Sequence, residues 1–123
     1  MLRVLLWGGR RPFSADAAPP ARAFIEDTIS RNKVVVFSKT TCGYCARAKS
    51  MLGQLNIPYT AVELNQHANG NEIQDTLFEM TTQSTVPNIF IAGQSIGGSS
   101  DLLEAYSNGE LALQLAKADI YIK

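Results

Sequence analysis

The sequence predicts a single α/β domain, and three observations support this fold class. A β-branched run, a helical stretch and a second strand follow one another over about 30 residues, which is the pattern of a βαβ unit with parallel strands. In the second half, two short apolar strands flank Ala92-Gly93, which predicts an antiparallel hairpin. A chain of 123 residues, 46% of them hydrophobic, can build one core but hardly two.

The first half of the chain should contain two helices and two strands. Residues 19–31 begin with two prolines and then place apolar side chains at helical spacing, which predicts a helix. Residues 34–37 are apolar throughout, as in strands that are buried on both faces. A second helix follows the cysteine pair and ends before Pro58, which disfavours helical geometry in the preceding residue. Residues 59–64 are predicted to form the second strand.

A third helix and the hairpin follow. Asn69, with Glu72 three residues later, resembles a capping box, so the helix is expected to begin there and to continue to about Met80. Residues 86–91 and 94–96 have the composition of the two hairpin strands.

Two short helices should complete the chain. Gly97-Gly98 breaks the second hairpin strand, and Ser99-Ser100-Asp101 can cap the helix that follows. Gly109 is a stop signal for that helix, and the last helix is expected to begin near Glu110.

Two cysteines lie where the first strand gives way to a helix, in the motif Cys42-Gly43-Tyr44-Cys45. Unpaired backbone N–H groups and the helix dipole, about +0.5 of a charge, both favour an anion at that point. Helix N-termini and neighbouring cations can lower the pKa of a cysteine to about 3.5–7.5, and Lys39 is such a cation. We therefore expect Cys42 to be the nucleophile. Cys45 is nearly one turn farther along the helix and is expected to be the less exposed, resolving thiol.

Two other uses of the cysteines fit the sequence less well. A structural zinc site needs four ligands, whereas the sequence contains two cysteines and one histidine, His67. A purely structural disulfide would close so short a loop that it would remove little entropy from the unfolded chain. The pair therefore predicts dithiol redox chemistry in a reducing compartment.

Charge and hydropathy exclude two classes of partner. The formal net charge is zero and no basic run persists beyond the N-terminus, so the chain lacks the electrostatic footprint of a nucleic-acid-binding protein. No apolar run approaches the ~20 residues that span a bilayer. We expect neither a nucleic-acid partner nor a membrane span.

The N-terminal residues differ in composition from the rest. The first 14 residues contain three arginines, no acidic residue and interleaved large apolar side chains, which is typical of a mitochondrial transit peptide. We interpret residues 1–20 as a transit peptide and spacer, with cleavage near Phe13/Ser14, and residues 21–123 as the functional domain. The expected location is the mitochondrial matrix. A secretory signal would need a longer apolar core. If this segment is a tail with no targeting function, the protein would be located in the cytosol.

Four motifs, in this order and spacing, resemble those of the dithiol glutaredoxins. They are Lys39, Cys42-Gly43-Tyr44-Cys45, Thr85-Val86-Pro87 and Gly97-Gly98-Ser99-Ser100-Asp101, and the resemblance covers about residues 21–118. It implies a thioredoxin-like fold, with a four-stranded mixed sheet flanked by about five helices. It also implies glutathione as the reductant.

The resemblance implies contacts with two parts of glutathione near the thiols. Pro87 would follow a cis peptide bond and turn the backbone of Val86 toward the cysteinyl part of glutathione. The alternative is a trans proline on an edge strand. Lys39 and Gln83 would meet the glycine carboxylate, although a solvated surface position is the alternative for Gln83.

At the other end of glutathione, the implied contacts are to the γ-glutamyl group. Gly98 would let the backbone approach closely, and the backbone amides of Ser100 and Asp101 would receive the carboxylate. Asp101 can also accept from the ammonium group. Tyr44 would line the groove beside the thiols. Thr85 is expected to contact glutathione as the first residue of the Thr85-Val86-Pro87 motif.

The activity implied is the reduction of protein–glutathione mixed disulfides and of protein disulfides by a monomer. Gly43 opens an alternative, because relatives with glycine between the cysteines tend to hold a [2Fe–2S] cluster between two subunits. Cys42 and one glutathione from each subunit would then be the ligands. A third option, a thioredoxin-type donor reduced by a flavoprotein, is disfavoured by the glutathione features at Lys39 and Ser100-Asp101.

Overall fold

The computed structural model describes residues 20–122, which form five α-helices, four β-strands and one 3-10 helix. The transit peptide, most of the spacer and the cleavage point near Phe13/Ser14 lie outside the described residues. In chain order the elements are α1 (Pro20–Arg31), β1 (Val34–Ser38), α2 (Gly43–Gln54), β2 (Thr60–Glu63), the 3-10 helix (Leu64–Gln66), α3 (Gly70–Thr81), β3 (Asn88–Ile91), β4 (Gln94–Gly97), α4 (Ser99–Ser107) and α5 (Glu110–Ala116). The α/β class and the number of helices are as expected.

The four strands form one mixed sheet in the order β2-β1-β3-β4. Strand β1 is parallel to β2 and antiparallel to β3, and β3 and β4 form the antiparallel hairpin. The hairpin turn places Ala92 and Gly93 at positive φ, 51° and 81°. Positive φ at both central residues matches the right-handed twist of the flanking strands.

Strand β1 is buried on both faces, which is why it is apolar throughout. Val34 and Val36 belong to one core cluster, which also contains buried residues of α2, α4 and α5. Val35 and Phe37 belong to a second cluster, with buried residues of α1 and α3. Helices therefore cover both faces of the sheet, and β1 contributes to both cores.

Two local expectations differ from the structure. The capping box at Asn69 is wrong, because the Asn69 side chain makes no capping hydrogen bond; instead the Asn69 N–H donates to Nδ1 of His67 at 3.1 Å. Strand β3 begins at Asn88 and not at residue 86. Pro87 has no N–H to donate to a neighbouring strand, so the ladder begins after it.

Strand pairing brings three chain segments together at one edge of the sheet. Phe37, near the end of β1, is opposite Asn88, the first residue of β3. Gly97, the last residue of β4, is opposite Ile89. The turn from β1 into α2, the segment before β3 and the turn from β4 into α4 therefore adjoin one another. Within residues 20–122, no helix has the length and apolar character that a membrane crossing requires.

Candidate active site

Cys42 is the N-cap residue of α2, and its sulfur lies at the helix N-terminus. Its backbone is extended, with φ −98° and ψ 121°, and its Sγ accepts a hydrogen bond from the Cys45 N–H at 3.3 Å. The Cys42 N–H donates to the Lys39 carbonyl at 3.1 Å, which closes the turn from β1 into the helix. The Cys42 side chain is partly exposed, whereas Cys45 is fully buried, and both thiols are free.

The two thiols ionise differently because their surroundings differ. Burial opposes ionisation of Cys42 and is the largest single effect on its pKa. The Cys45 thiol and the backbone N–H groups of Tyr44 and Cys45 donate to the Cys42 sulfur, and with the charge of Lys39 they lower its pKa below the ordinary value. Burial, followed by the hydrogen bond to Cys42, raises the pKa of Cys45. The more exposed sulfur is therefore the better nucleophile at neutral pH.

The loop before β3 faces the Cys42 thiol, which donates to a backbone carbonyl of this loop. The Val86–Pro87 peptide bond is cis, and the carbonyl oxygen of Val86 lies 3.7 Å from Cys42 Sγ. The structure thus has a cis proline at Pro87, and it brings together residues 44 positions apart in the sequence.

Gln83 supports this loop from the α3 side. Its Nε2 donates to the carbonyl oxygens of Pro87 at 2.7 Å and of Thr85 at 3.1 Å. Both amide hydrogens of Gln83 are thus directed at backbone carbonyls of the loop before β3. The expected contact of this amide with a carboxylate ligand stays a prediction.

The turn from β4 into α4 forms the opposite wall. Gly97 has φ +105°, and a Cβ atom there would overlap the Asp101 carboxylate. The Gly98 N–H donates to Asp101 Oδ2 at 2.9 Å, so Asp101 caps α4 from inside its first turn. A Cβ atom at Gly98 would lie 3.4 Å from the Pro87 carbonyl oxygen, which shows how closely the two walls approach.

One groove of about 520 Å³ runs between these walls. This volume is within the range of small-molecule sites, roughly 300–1,000 Å³. We call it the thiol groove. It is lined by Tyr44, Gln83, Thr85, Val86, Pro87, Gly98, Ser99, Ser100 and Asp101. All of the residues that the sequence suggested for glutathione therefore border it except Lys39, which is half-buried beside Cys42.

Sequence reasoning missed a polar network behind Cys45. Ser38 is buried at the end of β1 and donates to Glu63 Oε1 at 2.9 Å, while Lys49 forms an ion pair with Glu63 Oε2. Ser38 also lies close enough to Cys45 to oppose, in part, the rise of its pKa. A serine directly after an apolar strand was the available signal, but its partner Glu63 lies 25 residues away.

The sequence and the fold of this chain resemble those of proteins of known family. The glutaredoxin family model matches residues 34–96. A solved structure described as a buckwheat glutaredoxin–glutathione complex is similar with a TM-score of 0.79 and 40% sequence identity, over 82% of this chain and 92% of that chain. This agreement confirms the thioredoxin-like fold.

Two curated relatives agree with the family model. Glutaredoxin-2 of Schizosaccharomyces pombe is 48% identical over 97 residues, covering 79% of this chain and 88% of the relative. The mitochondrial glutaredoxin-2 of Mus musculus is 47% identical over 87 residues, covering 71% of this chain and 56% of that protein. The resemblance seen in the four sequence motifs is thus confirmed, and this chain belongs to the glutaredoxin family.

Proposed function

We propose that the protein is a glutathione-dependent thiol–disulfide oxidoreductase, with Cys42 as nucleophile and Cys45 as resolving thiol. The observation that carries this proposal is the position of Cys42 Sγ. It accepts a backbone N–H at a helix N-terminus, has a lowered pKa and lies beside the thiol groove. The family membership and the glutathione complex of the buckwheat relative support glutathione as its ligand.

The proposed reaction with a glutathionylated protein uses Cys42 alone. The Cys42 thiolate attacks the glutathione sulfur of the mixed disulfide, and a new disulfide forms between Cys42 and glutathione. The bond to the protein sulfur breaks, and that sulfur leaves as a thiolate and takes a proton from solvent. A second glutathione thiolate then attacks the adduct, which releases oxidised glutathione and restores the Cys42 thiolate.

Protein disulfides would require both cysteines. Attack by Cys42 gives a mixed disulfide with the substrate, and Cys45 then loses its proton and attacks Cys42 Sγ. The Cys42–Cys45 disulfide forms and the second substrate sulfur leaves as a thiolate, so two electrons pass to the substrate. Two glutathiones subsequently reduce the pair. The burial of Cys45 suits this role, because a buried thiol is out of reach of the substrate and can attack only the neighbouring Cys42 sulfur.

We assign the glutathione contacts from the walls of the thiol groove. Lys39 supplies a cation for the glycine carboxylate, and the backbone of Val86 pairs with the cysteinyl part. The amides of Ser100 and Asp101, at the start of α4, receive the γ-glutamyl carboxylate. Gln83 contributes by holding the carbonyls of residues 85 and 87 in place.

Two single variants test the assignment of the thiols. Cys42→Ser should abolish turnover of a glutathionylated peptide and of a disulfide-bonded protein. Cys45→Ser should keep turnover of the peptide and lose that of the disulfide-bonded protein. The assignment is wrong if Cys45→Ser abolishes deglutathionylation as completely as Cys42→Ser does.

The surroundings of Cys42 also support the alternative function, in which a [2Fe–2S] cluster is held by a dimer. A Cβ atom at Gly43 would meet nothing within 4 Å, so the space at the residue next to Cys42 is open. In the proposed dimer each chain would offer Cys42, and two chains with two glutathiones would complete the ligand set. When bound, the cluster would supply electron storage or transfer.

Anaerobic purification with glutathione tests the cluster function. The visible spectrum and size-exclusion chromatography should show a coloured dimer that loses both properties in Cys42→Ser. A colourless monomer that still reduces a glutathione mixed disulfide would leave the oxidoreductase function alone.

We propose further that residues 1–20 are a mitochondrial transit peptide with spacer and that residues 21–123 are the functional domain. The arginine content of the first 14 residues and their lack of acidic side chains support this. A fusion of residues 1–20 to a fluorescent reporter should enter mitochondria. A diffuse cytosolic signal would contradict the proposal.

A further inference from the structure

A second groove adjoins the thiol groove between α2 and α4, and we call it the α2/α4 groove. Its volume is about 590 Å³. Tyr44, Ser99 and Ser100 line both grooves, so the two are adjacent. The remaining lining comes from Ala46, Arg47, Ser50, Met51, Gln54 and Leu103.

The α2/α4 groove presents apolar surface and one cation. Tyr44 and Leu103 are 63% and 57% exposed, and Met51 is half-buried. These side chains would gain burial if an apolar segment of a partner covered them. Arg47 is the only charged residue among those that line this groove, and its guanidinium lies 5.5 Å from the centre of the Tyr44 ring. Arg47 takes part in none of the ion pairs formed among residues 20–122.

We propose that the α2/α4 groove binds the polypeptide next to the modified cysteine of a glutathionylated protein, and that it favours apolar and acidic residues there. This inference rests on the proposed oxidoreductase function. In such a substrate, glutathione in the thiol groove is covalently joined to the polypeptide, so the polypeptide must leave the thiol groove across a neighbouring surface. The α2/α4 groove adjoins the thiol groove at three shared residues and provides apolar contacts together with a positive charge.

The neighbouring cavity on the other side of the thiol groove suits this role less well. It adjoins the thiol groove at Gln83, whose amide is already bonded to the loop at residues 85–87. Its lining includes Thr81, Gln94 and Ser95 and contains no charged residue. This cavity therefore lacks both the large exposed apolar side chains and the cation that could select a substrate.

A second copy of the chain is the competing occupant of the α2/α4 groove. A copy seated there would cover Tyr44 and Ser100, which also border the thiol groove. Such a dimer would obstruct glutathione binding, whereas a substrate polypeptide that arrives attached to glutathione fills both grooves together. The shared lining therefore favours the substrate.

Four probes separate docking from chemistry. Three are glutathionylated pentapeptides: Glu-Leu-Cys-Leu-Glu, Lys-Leu-Cys-Leu-Lys and Glu-Ser-Cys-Ser-Glu. The fourth is the mixed disulfide of glutathione with 2-mercaptoethanol, which has no substrate peptide attached to the glutathione. We expect kcat/KM of the full chain to be about threefold to tenfold higher for the first peptide than for the Ser peptide, because buried apolar surface is gained. The preference over the Lys peptide should be about twofold to fivefold, as for an exposed charge pair.

Two variants of the groove test these preferences. Leu103→Gln should remove the advantage of Leu over Ser, and Arg47→Glu should reverse the preference between the Glu and Lys peptides. Leu113→Gln is the matched control, since Leu113 is 63% exposed on α5 and lines neither groove. All three variants should turn over the mercaptoethanol probe within about twofold of the unmodified protein, because neither Arg47 nor Leu103 borders the thiol groove.

Three outcomes would overturn the inference. If the unmodified protein does not turn over the mercaptoethanol probe, the oxidoreductase function itself fails and the docking proposal fails with it. Only the docking proposal is wrong if that probe reacts but the three pentapeptides are turned over equally. The same holds if the kcat/KM ratios between the peptides in Arg47→Glu and Leu103→Gln equal those of the unmodified protein. If either variant dissociates a dimer on size-exclusion chromatography without changing the peptide ratios, the groove binds a second copy.

Discussion

At the residue scale, the chemistry depends on two cysteines of one motif that the fold treats differently. Cys42 caps a helix and has N–H donors and a cation beside it, whereas Cys45 points into the core one turn later. The same three-residue spacing thus produces one thiol that ionises readily and one that is held protonated. In the proposed reactions, this difference makes Cys42 the first sulfur to attack and Cys45 the second.

The reactivity of the thiols should follow pH accordingly. Because the pKa of Cys42 is lowered, its thiolate persists below the pH at which an ordinary cysteine is protonated, and reactivity is lost only as pH falls through the lowered pKa. Because the pKa of Cys45 is raised, Cys45 should react only at higher pH. Iodoacetamide alkylation rates measured against pH, in Cys45→Ser and Cys42→Ser separately, check both directions.

Lys39 should contribute to this ionisation through its charge. Lys39→Gln should move the alkylation midpoint of Cys42 to higher pH, because a positive charge favours the thiolate. Lys117→Gln is the control, since it removes the same charge at the C-terminal end of α5. Identical alkylation curves for the two variants would contradict a specific role for Lys39.

The network behind Cys45 should contribute to stability. Glu63→Gln replaces the carboxylate that binds both Ser38 and Lys49. In the ion pair, the side chain of Glu63 is 19% exposed and that of Lys49 is 22% exposed. We expect the free energy of unfolding to fall by about 1–3 kcal/mol, since hydrogen-bonded groups are left poorly paired. Urea unfolding measures this, and a double-mutant cycle with Lys49→Gln should give a coupling energy above ~0.5 kcal/mol.

An exposed ion pair provides the comparison for Glu63→Gln. Asp27 and Arg31, on α1, are 58% and 76% exposed, so Asp27→Asn should cost at most about 1 kcal/mol. If Glu63→Gln cost no more than Asp27→Asn, the network would have no special structural role.

At the element scale, the site is built where the turn from β4 into α4 meets the loop before β3. Gly97 makes the turn possible, because its φ of +105° is unfavourable for residues with a side chain. The Asp101 carboxylate then occupies the space where a side chain at residue 97 would lie, and it binds the Gly98 N–H. One turn therefore fixes both the start of α4 and one wall of the thiol groove.

Replacement of Gly97 should test this dependence. Gly97→Ala combines an unfavourable φ with a clash at Asp101, and should destabilise the fold by more than the ~1–2 kcal/mol of the φ change alone. Gly93→Ala is the matched control, because Gly93 also has a positive φ, 81°, but open space around it. Thermal unfolding should show a larger loss of stability for Gly97→Ala than for Gly93→Ala. The KM for glutathione should rise in Gly97→Ala and stay unchanged in Gly93→Ala.

At the scale of the whole molecule, the two cores share β1. Phe37 packs in the core beside α1 and α3, edge to face with Phe90 at 5.6 Å, while Val36 packs in the core beside α2, α4 and α5. The end of this strand also leads directly into Cys42. Loosening either core should therefore reach the other core and the active site together.

Unfolding should accordingly be cooperative across both faces of the sheet. Phe37→Ala should lower the free energy of unfolding by about 3–5 kcal/mol through loss of burial and the resulting cavity. Far-UV circular dichroism and the alkylation of Cys45, which is buried in the other half of the molecule, should follow one transition in urea. If Cys45 became accessible to alkylation at one urea concentration and the helical signal was lost at another, the two cores would unfold independently.

Local sequence patterns determined the elements of this protein and the nature of its chemistry. Helix spacing, strand composition and the position of two cysteines at a strand-to-helix turn depend on residues within a few positions of one another. For that reason the predicted helices and the hairpin agree with the structure. The lowered pKa of Cys42 supports its proposed role as the nucleophile. The four motifs that resemble glutaredoxins then indicated which distant segments belong to one site.

Only the tertiary structure decided what each of those residues contacts. Strand register places Phe37 opposite Asn88, and this pairing brings the Val86 carbonyl to Cys42. It also gives Gln83 backbone carbonyls to bind, and it gives Ser38 a carboxylate partner 25 residues away. The physical reason is that such hydrogen bonds form between groups whose proximity results from burying both faces of β1, and no local propensity records that proximity.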